Sequence, residues 1–400
     1  MENDAGMERI KRKYIDIKQN SDKLATIGQF GFFAYYTIMV IIKAFGYVSY
    51  EMIFKVSFAL ALCCLALKVF TTKYTMREFL ILYLLLAVSA VCWIRVGEKN
   101  IMFITLTLWG MKDFSFQELM KGTVWVRLAG TLLMVLLACI GILDMQPKLD
   151  MATDYSEFWV YAFGYIKSNA AFYMFFLIIV LFIYIYYEKL NVWHFVVSVA
   201  LCYWSFKVTY CRTGAIVFVG MWALIIFDKI CKNKKYYKLM SYNVAGLFAL
   251  SFLAMSFYQK ANPLWFKINR IFNGRIEIMN NYHKAYGISL FPKTADIFWN
   301  MNYTTVDNFY MYLFISCGAI VALLFVLFAT KAQLKLYEDG YYKEILFFTV
   351  FAVYAMLEQS PFNPILNPFI LMMGNLVYRN FVIKENQFGI RKEIKNITSA

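Results

Sequence analysis

Residues 169–187 read NAAFYMFFLIIVLFIYIYY, nineteen positions without one charged side chain. A helix rises about 1.5 Å per residue, so this stretch matches the roughly 30 Å hydrocarbon layer of a bilayer. Similar runs recur along the 400 residues, which are 61% hydrophobic and only 16% charged, with a mean hydropathy of +0.55. A soluble domain carries about 25% charged residues, so a soluble fold is excluded. In lipid every backbone N–H and C=O must find a partner inside the protein, which leaves helices for runs of this length. The expected fold is an all-α polytopic integral membrane protein. Apolar runs broken by charges or turn residues fall at 24–43, 50–70, 79–96, 100–112, 123–143, 169–187, 191–209, 214–230, 239–257, 308–330, 344–358 and 364–382. That gives about 12 transmembrane helices, or 10–12, because the fourth and eleventh runs are short for a crossing.

Lys and Arg near span ends resist translocation and set the orientation. They cluster in the amino-terminal segment (Arg9, Lys11, Arg12, Lys13, Lys18, Lys23), after the eighth run (Lys229, Lys232, Lys234, Lys235, Lys238) and in the tail (Lys384, Arg391, Lys392, Lys395). Twelve spans put all three on one side. The chain then divides into a cytoplasmic segment 1–23, helices 1–9 over 24–257, a long extracytoplasmic loop 258–307, helices 10–12 over 308–382 and a cytoplasmic tail 383–400. The charged start contains no cleavable secretory signal, so insertion is expected to use the helices themselves. The net charge of +15 follows from this retention of basic residues rather than from a nucleic-acid partner. The long loop departs from the rule, since it carries Lys260, Lys267, Arg270, Arg275, Lys284 and Lys293. Long loops cross regardless of charge; a cationic surface for an anionic ligand is the functional alternative.

Composition narrows the chemistry. The eight cysteines lie mostly in apolar runs without a repeated C-x-x-C spacing, and the two histidines, His194 and His283, are far apart, so no metal site is expected. Neither G-x-x-x-x-G-K nor G-x-G-x-x-G occurs, and no soluble domain is present to hold a sugar nucleotide. An activated substrate would have to be lipid-linked, its anchor staying in the bilayer while the reacting bond lies at the surface.

Three elements carry candidate residues. Arg212, in YCRTGAIVFVGMWAL, sits between two runs, where a guanidinium fork and the first N–H groups of a helix suit phosphate; a snorkelling arginine is the plain alternative. In INRIFNGRIEIMNNYHKAYGISLF, Arg275 precedes an apolar stripe of Ile276, Ile278, Met279, Tyr282, Ala285 and Tyr286, which predicts an amphipathic helix lying on the outer surface. Within it Glu277 is expected to pair with Arg275 or Lys284, and His283 is either a substrate contact or an ordinary loop residue. In TTVDNFYMYLFISCGAI, Asp307 is either a helix N-cap or a general base facing the arginines, and Gly318 allows close helix approach.

In their order and spacing these elements resemble the Wzy-type polymerases of O-antigen, capsular and exopolysaccharide repeat units, relatives of the O-antigen ligases. The resemblance rests on CRTG at 211–214, NGRIEIMNNYHKAYGISLF at 273–291 and VDNFYMYLFISCGAI at 306–320, and is strongest from about 160 to 330. It implies a metal-independent, inverting glycosyltransferase of the bacterial cytoplasmic membrane, with both termini cytoplasmic and the active site on the outer face. Such an enzyme moves a growing glycan from undecaprenyl diphosphate to the non-reducing end of the next lipid-linked repeat unit. No cofactor is implied beyond that lipid-linked substrate, while a flippase and a chain-length regulator are implied as partners in the bilayer. Carried over, Arg212 and Arg275 hold the donor diphosphate and Asp307 orients or deprotonates the acceptor hydroxyl. Arg270, His283, Asn308 and Tyr310 are the further candidates for substrate contact.

Departures accompany the likeness. Cys211 stands where serine is usual, Phe291-Pro292 where Phe-Gly is common, and only Lys167 and Ser168 precede Asn169 where members often carry arginines. Two rivals keep the same residues: a lipid-linked oligosaccharide flippase, for which two similar halves and deep charges are expected, and a ligase that differs in its acceptor.

Overall fold

The computed structural model describes residues 24–47, 51–145, 148–151, 157–293 and 306–383. The basic clusters of 1–23 and 384–400, and part of the long loop, lie outside them. Among the described residues eight helices are long and apolar enough to cross a membrane: α1 (Leu24–Ala44), α2 (Met52–Thr71), α3 (Met76–Val96), α5 (Phe116–Cys139), α6 (Ser168–Ile185), α7 (Val192–Thr209), α8 (Arg212–Ile230) and α14 (Ala319–Glu338). The architecture is that of a multi-pass, all-α membrane protein. Its two described strands form one antiparallel hairpin, β1 (Lys148–Met151) on β2 (Glu157–Val160), with Lys148 opposite Val160.

The other four apolar runs take different forms. The run at 100–112 gives α4 (Asn100–Gly110), and that at 239–257 gives α9 (Tyr236–Met240) followed by α10 (Asn243–Phe257). Fifteen residues span only about 22 Å, less than the hydrocarbon layer. The run at 344–358 gives α15 (Tyr342–Leu357), where 13 of 16 residues are buried. The run at 364–382 is a 3-10 stretch, Pro368–Met373, continued by α16 (Gly374–Val377). The same apolarity that signals lipid contact also signals a protein interior, and α15 with the segment after it forms that interior. There Tyr184 of α6 meets the rings of Phe347 and Phe369 edge-on at 5.3 and 5.0 Å, contacts worth about 0.5–1.5 kcal/mol each.

Between α10 and the described end of the long loop lie α11 (Pro263–Ile271) and α12 (Arg275–Tyr286). Helix α12 turns Ile276, Met279 and Tyr282 of its expected stripe inward, while Ala285 is exposed. Glu277 pairs with neither Arg275 nor Lys284. It binds Lys260 at 2.8 Å and accepts from Tyr258 and Asn269, both at 3.3 Å, so it ties α12 to α11 and to the end of α10. Residues two apart on a helix do not face each other, which separates Glu277 from Arg275.

The run expected as one span from 308 is broken. A short α13 (Phe309–Tyr312) and a π turn over Leu313–Cys317 precede Gly318, whose φ of +89° ends the segment before α14 begins and continues to Glu338. The break exposes the first N–H groups of α14, and the chain after α12 answers them. Ala319 N–H donates to the Ser289 carbonyl at 2.8 Å and Ile320 N–H to that of Leu290 at 3.3 Å. A broken helix at membrane depth persists only where protein satisfies its freed backbone groups.

At the far end of α8, Asp228 accepts from Tyr187 (2.5 Å), Tyr236 and Tyr237 (both 2.8 Å) and from Lys234 (2.6 Å). This carboxylate clasps α9 and the turn after α6 onto α8.

Candidate functional site

The near end of α8 shares its surroundings with the starts of α6 and α12 and the end of α15. Asn273 and Gly274, at φ of +53° and +79°, turn the chain sharply out of α11 and deliver Arg275 as the first residue of α12. Arg275 is 7% exposed. Its Nε donates to Asp307 at 3.2 Å and its Nη2 to Glu358 at 2.6 Å, while Nη1 is buried with no hydrogen-bond partner among the described residues. One guanidinium therefore bridges two carboxylates and keeps a donor in reserve.

The two carboxylates are held differently. Glu358 is the first residue beyond α15, its N–H donating to the Tyr354 carbonyl at 2.9 Å, and its Oε1 also accepts from Asn169 Nδ2 at 3.3 Å. Its side chain is 15% exposed, against 35% for that of Asp307. Burial pushes the Glu358 carboxyl up to about 7; the Arg275 and Lys167 charges pull it down and the Asp307 charge pushes it further up. The segments bearing the two acids are joined by Gln359, which donates to the Val306 carbonyl.

Arg212 is half-buried and stands over the Tyr210 ring, 5.4 Å from its centre. Tyr210, at φ of +51°, closes α7 and lets α8 begin two residues later. Burial pushes the thiol of the neighbouring Cys211 up; it shares a hydrogen bond with Tyr354 and feels the Glu358 charge, which places the start of α8 beside the Arg275 cluster. The glycine of CRTG has a packing reason. A Cβ on Gly214 would lie 2.1 Å from the Phe172 ring and 2.8 Å from the Tyr354 hydroxyl, so α8 approaches α6 and α15 this closely only through glycine.

The remaining candidates divide. Asn308, rather than Asp307, caps α13: its Oδ1 accepts from Met311 N–H at 3.0 Å and its Nδ2 donates to Ser251 at 2.9 Å. The residue one position closer to the helix reaches the N–H groups that Asp307 misses, and Asp307 pairs with Arg275. Tyr310 is buried and donates to the Ala352 carbonyl at 2.8 Å. Arg270 is exposed on the last turn of α11. His283 is half-buried on α12, with a buried Nδ1 that has no hydrogen-bond partner among the described residues.

Glu358 escaped the sequence reading, as did Asn169 and Tyr354. The available signal was a carboxylate closing the apolar run 344–358, since an acid is expensive to keep there without a partner. Arg127 carried a similar signal: it lies within α5, 3% exposed, with Nη2 3.3 Å from the Tyr36 hydroxyl.

The arrangement suits anion binding followed by proton transfer. A buried guanidinium with an unfilled donor attracts an oxyanion, and an adjacent carboxylate can take a proton from a hydroxyl brought beside it. Among the described residues no group of three or more His, Cys, Asp or Glu is placed to hold a metal ion. Comparison with protein-family models, curated proteins and solved structures finds no match to this chain.

Proposed function

We propose that the protein is a polymerase of lipid-linked oligosaccharide repeat units, acting at the outer face of a bacterial cytoplasmic membrane. The observation that carries this reading is Arg275, held between Asp307 and Glu358 with Nη1 unfilled. The donor is a glycan on undecaprenyl diphosphate and the acceptor is the non-reducing end of the next unit. The acceptor oxygen attacks the anomeric carbon as the bond from that carbon to the diphosphate oxygen breaks. Asp307 takes the hydroxyl proton. Arg275 and Arg212 hold the departing diphosphate and stabilise the charge that grows on it, the work done by preorganised donors in other group transfers. A single displacement inverts the anomeric centre.

The test uses purified protein in lipid with undecaprenyl-diphosphate repeat units, a chelator and no nucleotide, with products resolved as a gel ladder. Wild type should give a ladder, and Arg212→Ala, Arg275→Ala and Asp307→Asn should lose it while retaining their elution profile and helix content. Transfer of one glycan to a non-repeat acceptor without a ladder would make the protein a ligase. Movement of the lipid-linked sugar between leaflets with no new bond would make it a flippase and remove the catalytic roles.

A further inference from the structure

Arg275, together with the Lys167 charge that Glu358 feels, faces two carboxylates, so the positive charge there is already matched when both acids are ionised and before any substrate arrives. A diphosphate reaching the unfilled Nη1 brings an excess of negative charge beside the carboxylates in a place largely withdrawn from water, where like charges repel strongly. The cluster relaxes if one carboxylate leaves, and the two are unequal. Asp307 has the longer bond, 3.2 Å against 2.6 Å, and the more exposed side chain. Glu358 is fixed by the end of α15 and by Asn169. We propose that the donor's diphosphate exchanges with Asp307 on Arg275, so that donor binding releases the acceptor's base, while Glu358 remains as the residue that positions the guanidinium.

This inference rests on the polymerase reading and adds an order to it: the base is tied up until the donor is seated. An acceptor hydroxyl, or a water, that enters first meets a carboxylate still engaged by Arg275. Glu358 is a positioning residue in this scheme, acting on substrate through Arg275 alone.

The test is equilibrium binding of undecaprenyl diphosphate to the full-length protein in detergent, followed by native mass spectrometry. Asp307→Asn and Asp307→Ala should bind the lipid about tenfold more tightly than wild type, because the competing charge is gone, although both fail to polymerise. Glu358→Ala should bind it at least tenfold more weakly as Arg275 loses its anchor. Glu358→Gln, which keeps an oxygen for Nη2, should restore binding to the wild-type level or above. Unchanged or weaker binding by both Asp307 variants overturns the exchange, and tight binding by Glu358→Ala overturns the positioning role. Wild-type protein that does not bind undecaprenyl diphosphate would instead overturn the polymerase reading itself.

Discussion

Replacing Gly318 by alanine should open the joint between the chain after α12 and the start of α14. Two independent strains act at this position. Its φ of +89° and ψ of 160° lie in a region that only glycine occupies readily, which costs another residue about 1–3 kcal/mol. A Cβ there would also lie 2.7 Å from both the Leu290 carbonyl oxygen and the Phe291 carbonyl carbon. These are backbone atoms that cannot rotate away, and overpacking of this kind adds about 1–3 kcal/mol. Together the local penalty is about 2–6 kcal/mol, which matches or exceeds the roughly 1.5–4.5 kcal/mol that the three backbone bonds across the joint, donated by Ala319, Ile320 and Lys293, supply at about 0.5–1.5 each. The joint should therefore separate while the long helices stay folded. Hydrogen exchange read by mass spectrometry on peptides covering 287–293 and 318–322 should speed up at least tenfold, with α6 and α15 unchanged. Gly220, in the middle of α8, is the control: a methyl group added there would meet no described atom within 4 Å, and its alanine variant should exchange like wild type or more slowly. Wild-type protection in Gly318→Ala would refute the strain argument.

Gly214→Ala should lower thermal stability by more than about 2 °C and impair transfer, because the added carbon meets Phe172 and Tyr354 across two helix contacts; scanning fluorimetry beside Gly220→Ala checks it. Tyr310→Phe should cost about 0.5–1.5 kcal/mol by removing the hydroxyl's bond to the Ala352 carbonyl, which keeps its place in the α15 ladder, yet leave the KM for lipid-linked substrate unchanged; a raised KM at normal stability would support Tyr310 as a substrate contact. Because the Glu358 carboxyl is lifted from its ordinary value of 4.5 to about 7, the folded state holds that proton more tightly than the unfolded chain. Its contribution to stability is thus complete below about 4.5 and lost as pH rises through about 7; melting curves should show that decline in wild type and a flatter profile in Glu358→Gln. Lys260→Ala should leave the melting curve indistinguishable from wild type, since its pair with Glu277 is open to solvent on the lysine side.

The long apolar helices were legible because hydropathy alone sets them, and eight of the expected runs form helices of crossing length. The inward placement of 344–358 was legible only as a shortness for crossing, because an apolar run looks the same whether lipid or protein surrounds it, while Pro364, Pro368 and Gly374 were breakers that the reading of 364–382 as one span passed over. Arg275 and Asp307 were legible as charges that an apolar chain keeps for a reason, and their 3.2 Å pairing joins two motifs 32 residues apart. Glu358 was not, since its partner lies 83 residues away and no local spacing connects them. The capping role passed from Asp307 to Asn308 for a related reason: both residue types cap helices, and only the point where α13 begins decides between them.

The joint at Gly318 is made by main-chain atoms on both sides, so it does not read the identity of the side chains it carries. Ile288, Leu290 and Phe291 are exposed while the carbonyls of Ser289 and Leu290 hold α14. Those three positions can diverge freely between lineages without loosening the attachment, provided the glycine opposite them stays. The surface that this segment presents can therefore be recut while its mounting is inherited unchanged.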